Sequence, residues 1–383
     1  MQIVSHSDIA ELGTFQEIWD RLSELELQFV PSFAELLHYL RASGAKFRLV
    51  SAMEGERTVA LACFIYKKSI KRYEVATHKL FDLPVQEVSL FGATVLGQPD
   101  EPLLRKIFAF ISEGAGFDLV NIGEIFTDSP LYRVIKSLPG FTSWRVMRKE
   151  QTRWMIELRG TFDDYVSALR RTAKTRIMRD VRRFERAGPQ YRVVERPEDV
   201  EAFLREAAEV CALTYQWNLG YRLFNDERTR ERLTRFARQG TFRGYIASIN
   251  GKPCAFGWGE LAHRTFGFTQ TGYDPQYRNI SPGTALIMHM MRDLIENTNC
   301  EVFDFGSGGD EGYKSRLSTV SLGCARMQMA QIYSPYSLLL IVLDRSINVA
   351  KNSAMNLLEW IAGHGALKQR LKSVLRPYGI GSY

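Results

Sequence analysis

Residues 242–253 read Phe242-Arg-Gly-Tyr-Ile-Ala-Ser-Ile-Asn250-Gly251-Lys-Pro253. An alternating strand runs into Asn250-Gly251, two residues that tolerate positive φ and so favour a tight hairpin turn. Pro253 to Leu261 is then the partner strand, and Phe268-Thr-Gln-Thr-Gly-Tyr273 a third. An amphipathic helix follows over Gly283 to Asn297, then the short strand Glu301-Val-Phe-Asp-Phe-Gly306. A short helix with an early tyrosine, Asp310-Glu-Gly-Tyr313-Lys314, and a strand over Leu322 to Ile332 complete the series. The first half repeats this plan. Phe47 to Met53 and Thr58 to Tyr66 form a hairpin turned at Glu54-Gly55-Glu56. A strand, a helix over Glu101 to Gly114, the strand Phe117 to Gly123, the helix start Ser129-Pro-Leu-Tyr132 and a strand over Phe141 to Met147 follow. Two copies of hairpin, strand, helix, strand, helix, strand predict an α/β (α+β) protein of two tandem domains. Each has a central, mixed but mostly antiparallel sheet flanked by helices.

Between the copies, Thr161 is an N-cap and Gly188-Pro189 a stop. Val166, Leu169, Ala173, Ile177, Val181 and Phe184 recur at helical spacing, so one helix is expected there. The expected boundaries are 1–158 for a first domain, 159–189 for a basic interdomain helix, 190–333 for a second domain and 334–383 for a helical basic tail. The charge of +7 over 383 residues is concentrated in two of these segments. Residues 170–186 carry eight basic residues against Asp180 and Glu185, net +6; residues 334–383 carry six against Asp344 and Glu359, net +4. What remains is slightly acidic, which argues against a generally basic nucleic-acid binder.

The turn before the second-half helix is Arg278-Asn-Ile-Ser281-Pro282-Gly283-Thr284. A helix N-terminus presents unpaired N–H groups and the positive end of a dipole, and Pro282 is tolerated where the helix begins. Gly283 permits close approach of an anion, Thr284 adds a hydroxyl and Arg278 a charge-assisted bond. Strand, Arg-x-x-Ser-x-Gly and amphipathic helix together resemble the coenzyme A loop of the GNAT acyltransferase superfamily. The usual pattern is Arg/Gln-x-x-Gly-x-Gly/Ala; Arg278 and Gly283 match it and Ser281 replaces the first glycine. The segment Asp304-Phe-Gly-Ser-Gly-Gly-Asp310-x-x-Tyr313-Lys314 is similar to the CelD/BcsL-like branch linked to exopolysaccharide and cellulose synthesis, which is related to the FemABX peptidyltransferases. The resemblance covers about Thr161 to Ile332, and the first half by architecture alone.

The resemblance implies acetyl-CoA or another acyl-CoA as co-substrate. Thr269, Gln270 and Thr271 would border its pantetheine arm through the backbone, and Arg278, Ser281, Gly283 and Thr284 would hold its phosphates. Acyl transfer to an amine needs a proton acceptor, oxyanion stabilisation and a proton for the leaving thiolate. Tyr313 is the candidate acid or, equally, a packing residue like Tyr132. Lys314 is a candidate for the oxyanion or a substrate phosphate. Asp304, in an apolar strand, either relays the amine proton or accepts amides of the turn after it. Arg176, Arg179 and Arg183 form a stripe that would either clamp a phosphorylated acceptor or be a solvated face paired with Asp180, with Trp217, Tyr221, Phe224 and Trp258 as stacking surfaces or core. In the first half the corresponding turn, Leu96-Gly-Gln-Pro-Asp100-Glu101, places two carboxylates where phosphate would lie. One coenzyme A site per chain is therefore expected.

Five scattered cysteines without a C-x-x-C pair, and six histidines without a cluster, point to no metal site and a reducing compartment. No signal peptide or 18-residue apolar span is evident, so a cytoplasmic protein is expected, its tail a candidate contact with the inner membrane surface or an anionic signal. The leading function is an acetyl-CoA-dependent N-acyltransferase acting on an amino sugar, nucleotide- or lipid-linked, in exopolysaccharide assembly. The alternatives are a FemABX-type aminoacyl transferase and a non-catalytic ligand-binding or scaffold protein. No nucleic-acid partner is expected.

Overall fold

The computed structural model of the chain describes residues 1–75, 78–111, 116–146, 150–214, 217, 222–308 and 312–362. It is a mixed α/β protein with two compact units: Met1–Glu26, Val30–Gln151 and Leu322–Tyr383 in the first, Leu27–Phe29 and Thr152–Ser321 in the second.

The first unit contains β1 (Gln2–His6), α1 (Gln16–Ser23), α2 (Phe33–Ser43), β2 (Lys46–Glu54), β3 (Arg57–Val75), β4 (His78–Leu90), α3 (Glu101–Ala109), β5 (Leu119–Phe126), α4 (Pro130–Ser137) and β6 (Phe141–Arg145). Its strands lie in the order β1-β2-β3-β4-β5. All neighbours are antiparallel except β4 and β5, which pair in parallel over Glu87–Ser89 and Leu119–Asn121. One face of the sheet buries Val50, Phe64, Val88 and Ile122 beneath Leu104, Phe108 and Ile135 of α3 and α4. The other buries Leu49, Leu61 and Cys63 beneath Trp19, Leu36 and Leu40 of α1 and α2. Alternate residues of one strand thus serve opposite cores, as the two-residue period of a strand requires.

The second unit contains β7 (Gln151–Glu157), α5 (Phe162–Ala168), α6 (Arg171–Glu185), β8 (Gln190–Val194), α7 (Val200–Leu213), α8 (Glu227–Arg238), β9 (Phe242–Ile249), β10 (Lys252–Ala262), β11 (Thr265–Tyr273), α9 (Pro282–Asn297), β12 (Val302–Gly308) and α10 (Tyr313–Leu317). The strand order is β7-β12-β11-β10-β9-β8. The hairpin turn forms as expected, with Asn250 at φ 51° and Gly251 at φ 76°. Helices α5, α6 and α9 cover one face around Phe266, Phe303 and Leu286, and α7 and α8 the other around Phe203, Phe242 and Phe256. A buried network ties α9 to β9: Asp293 accepts from Arg243 Nε at 2.7 Å and from the Tyr245 hydroxyl at 2.7 Å. Burial alone would raise the Asp293 pKa, but these bonds hold it below the usual carboxylate range.

Two expectations need correction. The strand expected to close the second half, β13 (Val320–Gln331), pairs with β5 and β6, and its Ala325, Met327 and Met329 enter the core of the first unit. The second unit is completed instead by β7, antiparallel to β12. The two halves have therefore exchanged a strand, which periodicity cannot reveal because it is blind to a strand's distant partner. The single helix expected over Thr161 to Gly188 is two. Thr161 and Asp164 form a capping box that starts α5, and Leu169 (ψ 141°) interrupts the helix before α6 begins at Arg171. Leu169, Ile177 and Phe184 are buried in the second unit's core, so this segment is part of that unit rather than a separate linker. The tail after Ser334 begins with α11 (Pro335–Ala362). Among the described residues no helix is long and apolar enough to cross a membrane.

Candidate active site

The parallel strands β11 and β12 pair over only three residues, Thr265↔Val302, Phe266↔Phe303 and Gly267↔Asp304. Beyond that point β11 continues to Tyr273 on its β10 side, and its other edge from Phe268 to Tyr273 has no strand partner among the described residues. Two irregularities separate the strands. On β11, Trp258↔Gln270 is followed by Gly259↔Phe268, so Thr269 is an extra, bulged residue. On β12, Gly306 takes φ 69° and the register against β7 slips between Asp304 and Ser307. Phe268, Phe303 and Phe305 pack together at the fork, with centroids 4.7–5.6 Å apart. Thr269 is exposed. Thr271 gives its hydroxyl to the Phe256 carbonyl (2.8 Å) and Gln270 approaches the Cys211 sulfur (3.6 Å). The Gln270 and Thr271 side chains are thus engaged, whereas Thr269 presents its side chain as well as its backbone.

The strand edge leads into the start of α9. Buried Asp274 caps a 3-10 turn over Pro275–Ile280 by accepting the Gln276 N–H. The chain then reverses at Ser281, which sits in the left-handed region (φ 59°, ψ 50°) and makes no side-chain cap. That conformation explains why glycine is usual at this position: a side chain there costs about 1–2 kcal/mol. The first turn of α9 holds no acidic residue, and among the described residues no side chain caps its opening N–H groups, which include those of Gly283 and Thr284. A Cβ at Gly283 would lie 3.2 Å from the Tyr273 ring, so the helix start and the strand end approach closely. Arg278 is exposed on the turn. Arg183 of α6 donates to the Asn279 carbonyl at 2.9 Å. Expected beside Arg176 and Arg179 as an acceptor clamp, it is exposed and also braces this turn.

Asp304 is 2 % exposed. Arg153 of β7 donates to both of its oxygens, from Nε at 3.1 and 3.0 Å and from a terminal guanidinium nitrogen at 2.5 Å. The Gly306 N–H donates to Oδ1 (2.8 Å) and the Phe29 N–H to Oδ2 (3.1 Å). Of the two roles open from the sequence, this geometry favours acceptance of turn amides over proton relay, because both oxygens are occupied. Lys314 Nζ donates to the Phe305 and Ser307 carbonyls (2.8 and 3.0 Å), so it secures the irregular end of β12. Tyr313, half-buried, packs edge-on against Phe305 at 5.8 Å, beside the fork. Arg153 and Phe29 escaped the sequence reading because they lie 151 and 275 residues from Asp304, with no local pattern to announce them.

On α6, Arg171, Lys174, Arg179, Arg182, Arg183 and Arg186 line a groove of about 690 Å³ with Thr175 and Met178. Arg179 is 3.6 Å from Asp180. Arg176 acts electrostatically on Arg316 of α10: burial and the Arg176 charge together hold the Arg316 guanidinium below its usual range, with Asp180 opposing. Arg316 was not anticipated. Trp217 is half-buried, edge-on to Phe224 (5.5 Å), and Arg222 lies over its ring (5.3 Å). Trp258 is 2 % exposed and belongs to the core rather than to a stacking surface. Tyr221 and Asp310 lie outside the described residues. Among the described residues no three His, Cys, Asp or Glu side chains are grouped to hold a metal ion.

The parallel pair that forks beside an uncapped helix start lies within the segment that one family model matches. Residues 171–315 match the family model described as an acetyltransferase (GNAT) domain. Among solved structures, FemX is similar over 88% of this chain and 99% of its own, with 11% identity and a TM-score of 0.62. A conserved protein of unknown function from Bacteroides thetaiotaomicron VPI-5482 is similar over 86% and 100%, with 14% identity and a TM-score of 0.52. The C-terminal domain (DUF2156) of a putative lysylphosphatidylglycerol synthetase from Agrobacterium fabrum is similar over 89% and 97%, with 14% identity and a TM-score of 0.51. No curated protein sequence matches the chain.

Proposed function

We propose that the second unit is an N-acyltransferase that takes its acyl group from acetyl-CoA or another acyl-CoA and passes it to the amine of a phosphate-bearing amino sugar. The observation that carries this reading is the uncapped start of α9 beside a free strand edge, within the segment that matches the GNAT domain. The Gly283 and Thr284 N–H groups, with Arg278, suit a pyrophosphate. The backbone of Phe268 to Tyr273 suits an extended amide-bearing arm, which it would bind as an added strand. Bound acyl-CoA would supply an activated thioester. Backbone N–H groups at the Thr269 bulge are the candidate donors to the developing oxyanion, and Tyr313 is the candidate proton donor to the thiolate. Asp304 and Arg153 hold the fork in shape. The cations of α6, with Arg176 and Arg179 foremost, suit the acceptor's phosphate, and exopolysaccharide assembly is the setting this acceptor implies.

A thermal-shift assay tests the reading. Acetyl-CoA at 100 times its dissociation constant should stabilise the chain by about 2.7 kcal/mol, and Arg278→Glu should abolish the shift. No stabilisation by any acyl-CoA would overturn it. Similarity to FemX over nearly its whole length favours a second reading, aminoacyl transfer of the FemABX type. Failure of acyl-CoA binding together with transfer from an aminoacyl donor would establish that alternative.

A further inference from the structure

Helix α11 is apolar on both its buried and its exposed side. Its inward side buries Leu340 (0% exposed) and Ile341 (5%) and is fastened by polar bonds as well: the Tyr336 hydroxyl donates to the Pro84 carbonyl (2.7 Å), the Ser337 hydroxyl to the Asp118 carbonyl (3.0 Å), and Asp344 accepts from Lys71 Nζ (2.7 Å) and Trp144 Nε1 (3.1 Å). Its outward face is apolar. Leu338, Leu339, Val342 and Val349 are 44%, 45%, 59% and 63% exposed, and Tyr333, just before the helix, is 82% exposed. A surface helix ordinarily shows the reverse. Leu338, Val342, Arg345 and Val349 recur every three or four residues, so Arg345 stands within the apolar ridge. Between Pro335 and Val349 the only acidic residue is Asp344, and it is buried.

We propose that this ridge is a docking surface for an anionic lipid bilayer, with α11 lying in the interface plane. Three observations favour that occupant. The ridge from Leu338 to Val349 is about 17 Å long, enough to lie on a membrane and too short to span it. Its one charge is positive and no exposed carboxylate offsets it. The sequence that follows adds Lys351, Lys368, Arg370, Lys372 and Arg376 against Glu359 alone. An apolar stripe with basic residues, and tyrosine at its margin, is the composition of an interfacial anchor. A second copy fits less well. In a two-fold pairing of the ridge, the two Arg345 side chains would meet near the axis with no carboxylate between them.

The inference goes beyond acyl transfer and is tested by binding alone. Full-length protein is floated with phosphatidylcholine vesicles and with vesicles containing one third phosphatidylglycerol. Flotation with the anionic vesicles is expected, falling about tenfold in pure phosphatidylcholine and about tenfold in Leu339→Glu/Val342→Glu. Both substitutions are at exposed positions, and an unchanged melting temperature checks the fold. Equal flotation of wild type and variant, or none with either vesicle, would overturn the proposal. So would sedimentation showing a dimer that the double variant dissociates, since a second copy would then be the occupant.

Discussion

The two units repeat one frame and finish it differently. In each, a long strand pairs in parallel with a short one over three residues and then parts from it: β4 with β5, β11 with β12. In each, the short strand carries an Asx residue whose side chain accepts the N–H two residues on, at a glycine with positive φ. Asn121 accepts from Gly123 at 3.3 Å and Asp304 from Gly306 at 2.8 Å. The helix starts that follow the long strands are opposites. Asp100 caps α3 with its own carboxylate, accepting the Leu103 N–H at 2.9 Å, and Glu101 adds negative charge. The turn before it is fastened to β3 by paired Leu61 and Leu96 backbone bonds. Helix α9 begins at Ser281 with no side-chain cap and no acid. The same frame thus yields a helix start capped by a carboxylate in one unit and one without a side-chain cap in the other.

Substitutions in both units probe that contrast. The largest effect is expected from Arg153→Ala, which leaves the Asp304 carboxylate buried without its partner. Urea unfolding should show a loss of about 3–5 kcal/mol, much of it recovered by adding Asp304→Asn, whereas Asn121→Ala in the first unit should cost only about 1 kcal/mol. Equal losses at the two positions would contradict an electrostatic difference between them.

The units should also differ with pH. In the first, burial pushes the Glu26 carboxyl up to about 7, against hydrogen bonds from Thr94 and the Gly97 and Gln98 amides. The folded unit then holds a proton that the unfolded chain releases above about 4.5, so its stability falls as pH rises from there through 7. With allowance for partial exposure the loss is about 2 kcal/mol, and Glu26→Gln should abolish it. In the second unit Asp293 is shifted down, so its contribution is present above the ordinary aspartate pKa and is lost as pH falls through its folded value. Urea midpoints at pH 5 and 8 read the first trend, since the Asp293 contribution is constant across that range, and midpoints taken below the ordinary aspartate pKa read the second; no change on Glu26→Gln would contradict the first.

Smaller effects are expected at the helix starts themselves. Ser281→Gly relieves a left-handed serine and should raise stability by about 1 kcal/mol while leaving acyl-CoA affinity intact. Asp100→Ala should lower stability by about 1 kcal/mol through loss of the cap without creating a second binding site, because that turn has no arginine. Differential scanning with and without acetyl-CoA reads both.

Much of the frame was legible in the sequence. The Asn250-Gly251 turn, the Thr161 cap and the amphipathic helices are local features whose causes lie within a few residues. So was the contrast between Asp100-Glu101 and Ser281-Pro282-Gly283, since capping chemistry is local too. What escaped depends on partners far along the chain. Nothing near β13 announces that it pairs with β5, and nothing near Asp304 announces Arg153. Without Arg153 the buried carboxylate left proton relay and acceptance of turn amides equally open; with it, the group is already paired. Lys314 looked like a charge awaiting a ligand because the carbonyls it binds are exposed only by the bend of β12 at Gly306. The break at Leu169 was hidden by an apolar spacing that runs on through it, two short helices burying the stripe as well as one long helix would.

Calorimetric titration of the full-length chain with acetyl-CoA tests the central contrast most directly. The account predicts one molecule bound per chain, lost in Arg278→Glu and retained in Asp100→Ala. Two molecules per chain, or one that survives Arg278→Glu, would contradict it.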